Sequence, residues 1–210
     1  ICICIFKLLY LVSKTKIIIM TTTFAESAFA ELDKFKTPDF PKENFGDWEF
    51  QDADDELRHI AEYIKKKTPH NSDIEPERIK YLYTRVAKKD AGRYVAGFLV
   101  ARPNIEKMAN DDFDYFLAVY HPVWKALDSK QKAIQMDKLL CGIDIKEGKD
   151  PAELVFTKKA TDTREYKENM NHFGIEEVIK SSEIIDLACF SAIEKEKEEA
   201  KNAKKKVVVD

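Results

Sequence analysis

The stretch QKAIQMDKLLCGID, Gln131 to Asp144, decides how this chain is read. Ala133, Met136, Leu140 and Ile143 recur there at three- and four-residue spacing, the period of a helix with one apolar stripe. Such a stripe needs a partner layer, so the segments around it must supply one.

Working outward, Ser129 is the expected N-cap of this central helix. Before it, DYFLAVYHPVW gives a strand over 114–120, and His121-Pro122 opens a short helix with proline at an early position. Further upstream, RIKYLYTRVAK and GRYVAGFLVARP are two β-type runs separated by a short polar connector, which predicts an antiparallel hairpin. Residues 52–67 form an amphipathic helix on Leu57, Ile60, Ala61 and Ile64, with Asp52, Asp54 and Asp55 at its N-terminal end. Residues 21–36 have helical spacing at Phe24, Ala28 and Leu32, and the proline-bearing stretch after them reads as a linker. Downstream, a short strand is expected near Leu154 to Thr157, then a helix closed by Gly174, then a last helix that becomes highly charged from Glu194. The predicted fold class is α+β: a small antiparallel sheet, made of the hairpin plus an edge strand, packed on the central helix with flanking helices. The predicted organisation is a leader or upstream translation over 1–19, an N-terminal helix and linker over 20–51, a folded domain over 52–190, and a charged tail over 191–210.

Composition narrows the function. Hydrophobic residues make up 44% and charged residues 35%, enough apolar mass for a core under a soluble surface. The formal net charge is −3, and every charge before Met20 is basic, so the remainder is more acidic still. Nothing there holds a nucleic-acid backbone, and no nucleic-acid partner is expected. The segment ICICIFKLLYLVSKTKIII is broken by Lys7 and too short to span a bilayer, so no membrane partner is expected unless residues 1–19 are a genuine leader.

Motifs for catalysis are missing. Cys141 and Cys189 stand alone and no CxxC pair exists. There is no glycine-rich phosphate loop and no GxSxG elbow. His59, His70, His121 and His172 are not paired at HxxxH spacing, and none lies on the central helix. His172, near Gly174, reads as a surface histidine, and Cys141 as a structural thiol.

The order of elements and the segment DFDYFLAVYHPVWKALDSKQKAIQMDKLLCGID resemble the phage metallopeptidase family, relatives of the SprT-like zincins. Trp124, Leu127, Asp128 and Gln131 fall in the family's register, as do Asp137, Leu140, Cys141 and Ile143, and downstream Asp162, Tyr166, Phe173 and Gly174. The resemblance implies a zincin-like fold over roughly Arg78 to Phe190. It also implies a His-Glu-x-x-His helix, and there the chain departs from the family. The two helix histidines fall on Lys138 and Gly142, the general-base glutamate on Leu139, and the third zinc ligand on Thr161. A catalytic zinc needs three protein ligands and an open position, with a base beside the bound water. Lysine repels a cation, leucine accepts no proton, and glycine has no side chain. Lys138 with Asp137 or Asp162 is expected to fill the place as an ion pair.

The expected role is therefore a catalytically inactive, metallopeptidase-like phage protein with no cofactor. It would act as a protein-binding or structural module on a phage or host protein, in the host cytoplasm or on the virion. Two alternatives stand beside it: a zinc metallopeptidase whose metal site lies elsewhere in the chain, and a phage-encoded inhibitor of a host protein.

Overall fold

The strand YFLAVY, Tyr115–Tyr120, is apolar on both faces and nearly all of it is buried. A strand of that kind belongs inside a sheet, and in the computed structural model of the chain it does. The structure describes residues 29–39, 49–101, 113–147, 154–160 and 165–207. The chain divides into two units, Ile1–Phe35 and Lys36–Asp210. In the first, Leu32–Lys34 make a single 3-10 turn, and the rest of the helix expected over 21–36 falls mostly outside the described residues, as does the segment 1–19.

In the second unit the strands are β1 (Phe50–Asp52), β2 (Ile79–Thr84), β3 (Lys88–Asp90), β4 (Arg93–Val95), β5 (Gly97–Ala101), β6 (Tyr115–Tyr120), β7 (Ile143–Glu147) and β8 (Leu154–Lys158). The helices are α1 (His59–Lys67), entered through a π-helical turn at Asp54–Arg58, then α2 (His121–Trp124), α3 (Ser129–Leu140), α4 (Lys167–Phe173) and α5 (Ile175–Val207). The main sheet runs β1-β2-β6-β5. β2 and β6 are parallel, with Ile79 opposite Tyr115 and Thr84 opposite Tyr120. β5 lies antiparallel on the other side of β6, and β1 antiparallel on the far side of β2.

Three sequence expectations are corrected here. The first long β run supplies β2 and the second divides into β4 and β5; β2 and β5 do not pair with each other, because β6 lies between them. The tight hairpin is instead β3–β4, turned by Ala91 and Gly92, both at positive φ (47° and 85°). Two such residues make the mirror-image turn that matches strand twist. Third, the sheet is mixed, and β6 is an inner strand where an edge strand was expected. The coarse class, α+β, holds.

The central helix α3 is shorter than its apolar spacing suggests. Its N-cap is Asp128, not Ser129: the Asp128 carboxylate accepts from the Gln131 N–H at 2.7 Å, and the Gln131 side chain accepts from the Asp128 N–H at 3.1 Å. This reciprocal box satisfies two orphan donors of the first turn. The helix stops at Leu140, and Ile143 begins β7. Ile143-Asp-Ile-Lys-Glu alternates with period two and pairs antiparallel with β8. The three-residue step from Leu140 to Ile143 imitated one more helical turn.

The core lies between the main sheet, α1 and α3. Among the fully buried side chains are Leu57, Ile60 and Ile64, then Ile134, Met136 and Leu140 of α3, and the rings of Tyr81, Tyr83, Tyr120 and Trp124, and α1 packs against α3. Each such side chain, fully buried, contributes roughly 1.5–3 kcal/mol. α5 covers β4, α2 and α4, and α3. Its inward face is Val178, Ser181, Ile185 and Cys189. Gly174 ends α4 at φ 92°, which a side chain rarely adopts.

Candidate functional site

Lys138 and Gly142 lie one helical turn apart and share a face of α3 and its terminal turn. A cleft of about 220 Å³ opens beside them, lined by Lys138, Leu139 and Gly142, by β5 from Gly97 to Val100, and by Lys88, Lys89, Asp90, Lys158 and Tyr166. The sheet places β5 against α3 because Gly97 allows close approach: a Cβ there would sit 2.7 Å from the Ala118 carbonyl oxygen and 3.1 Å from Leu139 Cδ1.

Lys138 Nζ donates to Glu165 Oε1 at 2.8 Å, and Ser182 Oγ donates to the same oxygen at 2.7 Å. Both charged side chains are mostly buried, at 18% and 10% exposure. At Gly142, a Cβ would lie 3.0 Å from the Tyr166 hydroxyl and 3.1 Å from the Leu139 carbonyl oxygen. That hydroxyl donates to the Lys159 carbonyl at 3.0 Å, so it is held where it stands. Lys138, Gln135 and Glu165 also border a larger cavity of about 540 Å³, between the β3–β4 hairpin and α5, with Tyr94, Met170 and Ile179 among its walls.

Asp137 is turned away from Lys138. Its carboxylate is fully buried and accepts from His70 Nε2 (3.0 Å), Asn71 Nδ2 (2.7 Å) and Asn169 Nδ2 (2.7 Å), with the Cys141 thiol at 3.9 Å. Lys138 therefore pairs with Glu165 and not with Asp137. Thr161 and Asp162 lie outside the described residues. Burial first, then the Asp137 and Glu168 charges, push the Cys141 thiol far above its usual range. His172 is half-buried and packs edge-on to His70 at 6.0 Å; burial holds it below the usual histidine range. His121 Nε2 lies 2.8 Å from the Pro38 carbonyl oxygen, and His59 bonds to the Asp55 carbonyl, so neither faces the cleft.

Another buried carboxylate escaped the sequence reading. Glu56 accepts from Lys132 Nζ (2.8 Å), Thr37 Oγ1 (2.9 Å), Trp124 Nε1 (3.3 Å) and the Tyr83 hydroxyl. Burial and this bond to Glu56 raise the Tyr83 phenol well above its ordinary range. The signal was present: Glu56, Ile60 and Ile64 stand at i, i+4 and i+8, so Glu56 belongs to the buried stripe. Glu165 and Ser182 left no such signal, because their partner is far away in sequence.

A family model, putative phage metallopeptidase, matches residues 48–186. The chain belongs to this family. No curated protein matches the chain, and no solved structure does. The family description implies a catalytic metal. The α3–β5 cleft does not fit one: among its described lining residues stand four lysines, Lys88, Lys89, Lys138 and Lys158, against the single carboxylate of Asp90, with no histidine or cysteine. Among the described residues, one group of metal-capable side chains does converge, His70, Asp137 and Cys141, on the adjoining face of α3. No helix among the described residues is long and apolar enough to cross a membrane.

Proposed function

We infer that this chain is a catalytically inactive member of its family, a zincin-like scaffold that binds a protein partner without cutting it. The observation that carries the reading is the Lys138 ammonium, held by Glu165 and Ser182 inside the α3–β5 cleft. In the register set by the resemblance, Lys138 and Gly142 take the places of the two helix histidines and Leu139 that of the base. An ammonium in the ligand position repels a divalent cation, and a leucine cannot take the proton of an attacking water. The Tyr166 hydroxyl occupies the space a side chain at 142 would need.

The cleft is nonetheless retained. Its lysines and the exposed part of Phe98 suit an acidic, partly apolar polypeptide segment from a phage or host protein, because charge complementarity selects such a partner. The place of action would be the host cytoplasm or the virion.

The test is a peptide-cleavage assay on the full chain supplied with zinc, run beside Lys138→Ala. Absence of cleavage supports the reading, as does a captured phage or host protein released by Lys138→Glu. Zinc-dependent cleavage that Lys138→Ala abolishes overturns it.

A further inference from the structure

The last turn of α3 and its C-cap carry Asp137 and Cys141, and the 3-10 turn Pro69–Asn71 after α1 brings His70 and Asn71 against them. The imidazole, carboxylate and thiol ligand atoms all lie within 4.8 Å of one another. His70 and Cys141 border a cavity of about 230 Å³ that Glu168 and Lys159 also line, and which shares no lining residue with the Lys138 cleft; Asp137 is fully buried beside them. The geometry points to a binding site for a borderline-soft divalent cation such as zinc, held by His70 Nε2, Asp137 and Cys141 Sγ.

Hydrogen bonding within the cluster accounts for much of it, but not for all. Asn71 and Asn169 each spend their Nδ2 on Asp137, and each keeps a buried Oδ1 with no hydrogen-bond partner. Glu168 gives Oε1 to Lys159 at 2.6 Å and likewise keeps a buried Oε2 without one. Buried acceptors of this kind are costly unless something positive meets them. The two amides also fix the Asp137 carboxylate, as outer partners fix metal ligands. The 3.0 Å between His70 Nε2 and Asp137 Oδ1 and the 3.9 Å between Asp137 Oδ2 and Cys141 Sγ suit neighbouring ligands around one ion. A nitrogen, oxygen and sulfur set selects zinc or cobalt(II) over calcium or magnesium. On binding, Cys141 releases its thiol proton to solvent and ligates as thiolate. Glu168, on the same cavity wall, is a further oxygen donor. The role is structural: the ion would tie the end of α1 and the α4 helix to α3.

This goes beyond the reading of the Lys138 cleft, and its outcome leaves that reading standing or falling on its own test. The experiment uses the full chain with Cys2→Ser and Cys4→Ser, stripped with chelator and titrated with zinc or cobalt(II) chloride alone. The expected result is one equivalent bound, a melting temperature that rises with free zinc, and a thiolate-to-cobalt charge-transfer band. Cys141→Ser should abolish the band. His70→Gln, at a partly exposed position, should weaken binding by more than about tenfold, since even outer partners cost 10–100-fold. Cys189→Ala, which removes a thiol outside this cavity, should leave binding and the band unchanged. No uptake, or uptake and a band that survive His70→Gln and Cys141→Ser, overturns the proposal.

Discussion

Lys138 and Glu165 stand 27 residues apart in sequence, yet their charged ends meet at 2.8 Å inside the cleft, with Ser182 on the same carboxylate oxygen. Removing one partner strands the other in a mostly buried place. Lys138→Met or Glu165→Gln alone should each cost about 1–3 kcal/mol of unfolding free energy, at the low end of what breaking a buried pair costs because both ends retain some solvent. Lys138→Met combined with Glu165→Gln should cost less than the two single losses summed. Urea unfolding of the three variants measures it, and strictly additive losses would show that the pair is not coupled.

Gly142 is filled from outside by Tyr166. Gly142→His should therefore destabilise the chain by about 1–3 kcal/mol, the usual cost of forcing extra atoms into a packed place. In a Tyr166→Phe background, where the blocking hydroxyl is gone, the same substitution should cost less. Equal penalties in both backgrounds would mean that the hydroxyl is not what occupies the space.

Glu56 holds the buried ammonium of Lys132. Glu56→Gln keeps the shape and removes the charge, so Lys132 is left buried without its counter-ion. The expected loss is about 3–5 kcal/mol, read by thermal or denaturant unfolding. A loss below about 1 kcal/mol, the scale of a surface pair, would place this pair in solvent.

Ala91 turns the β3–β4 hairpin at φ 47°. Asparagine tolerates that region better than alanine. Ala91→Asn should raise stability by roughly 0.5–1 kcal/mol. A neutral or negative change in the unfolding midpoint would argue against the turn.

Cys189 is buried on the inner face of α5, and burial, then the Asp186 charge, push its thiol up to about 12 from an ordinary 9.0. A raised thiol keeps its proton in the folded state. Its contribution is therefore complete below pH 9.0 and is lost as pH rises from there toward 12, because the unfolded chain releases the proton first. Stability should fall over that window, and Cys189→Ala should flatten the fall. Peptide-level alkylation at pH 8 should be slow at Cys189 in the native state and fast in urea.

By itself the sequence determined the helices and strands that have a local period. The stripe Leu57, Ile60, Ala61, Ile64, the alternation in Ile79, Tyr81 and Tyr83, the glycine stop at 174 and the long closing helix all follow from spacing and caps, which are local properties of the chain. The resemblance carried by Trp124, Asp128, Gln131 and Cys141 led to the family that the match over residues 48–186 shows. What tertiary structure decided was pairing. β6 entered between β2 and β5 because a strand apolar on both faces gains most from burial on both, and adjacency in sequence could not reveal that. The same limit hid the sites. Lys138 could have met Asp137 next door, but neighbouring positions on a helix point about 100° apart. Lys138 therefore met Glu165, brought up before α4, while Asp137 met His70 and Asn71, brought up after α1. Charge and hydrogen-bond partners chosen across 27 and 67 residues leave no local periodicity, so only the folded chain could name them.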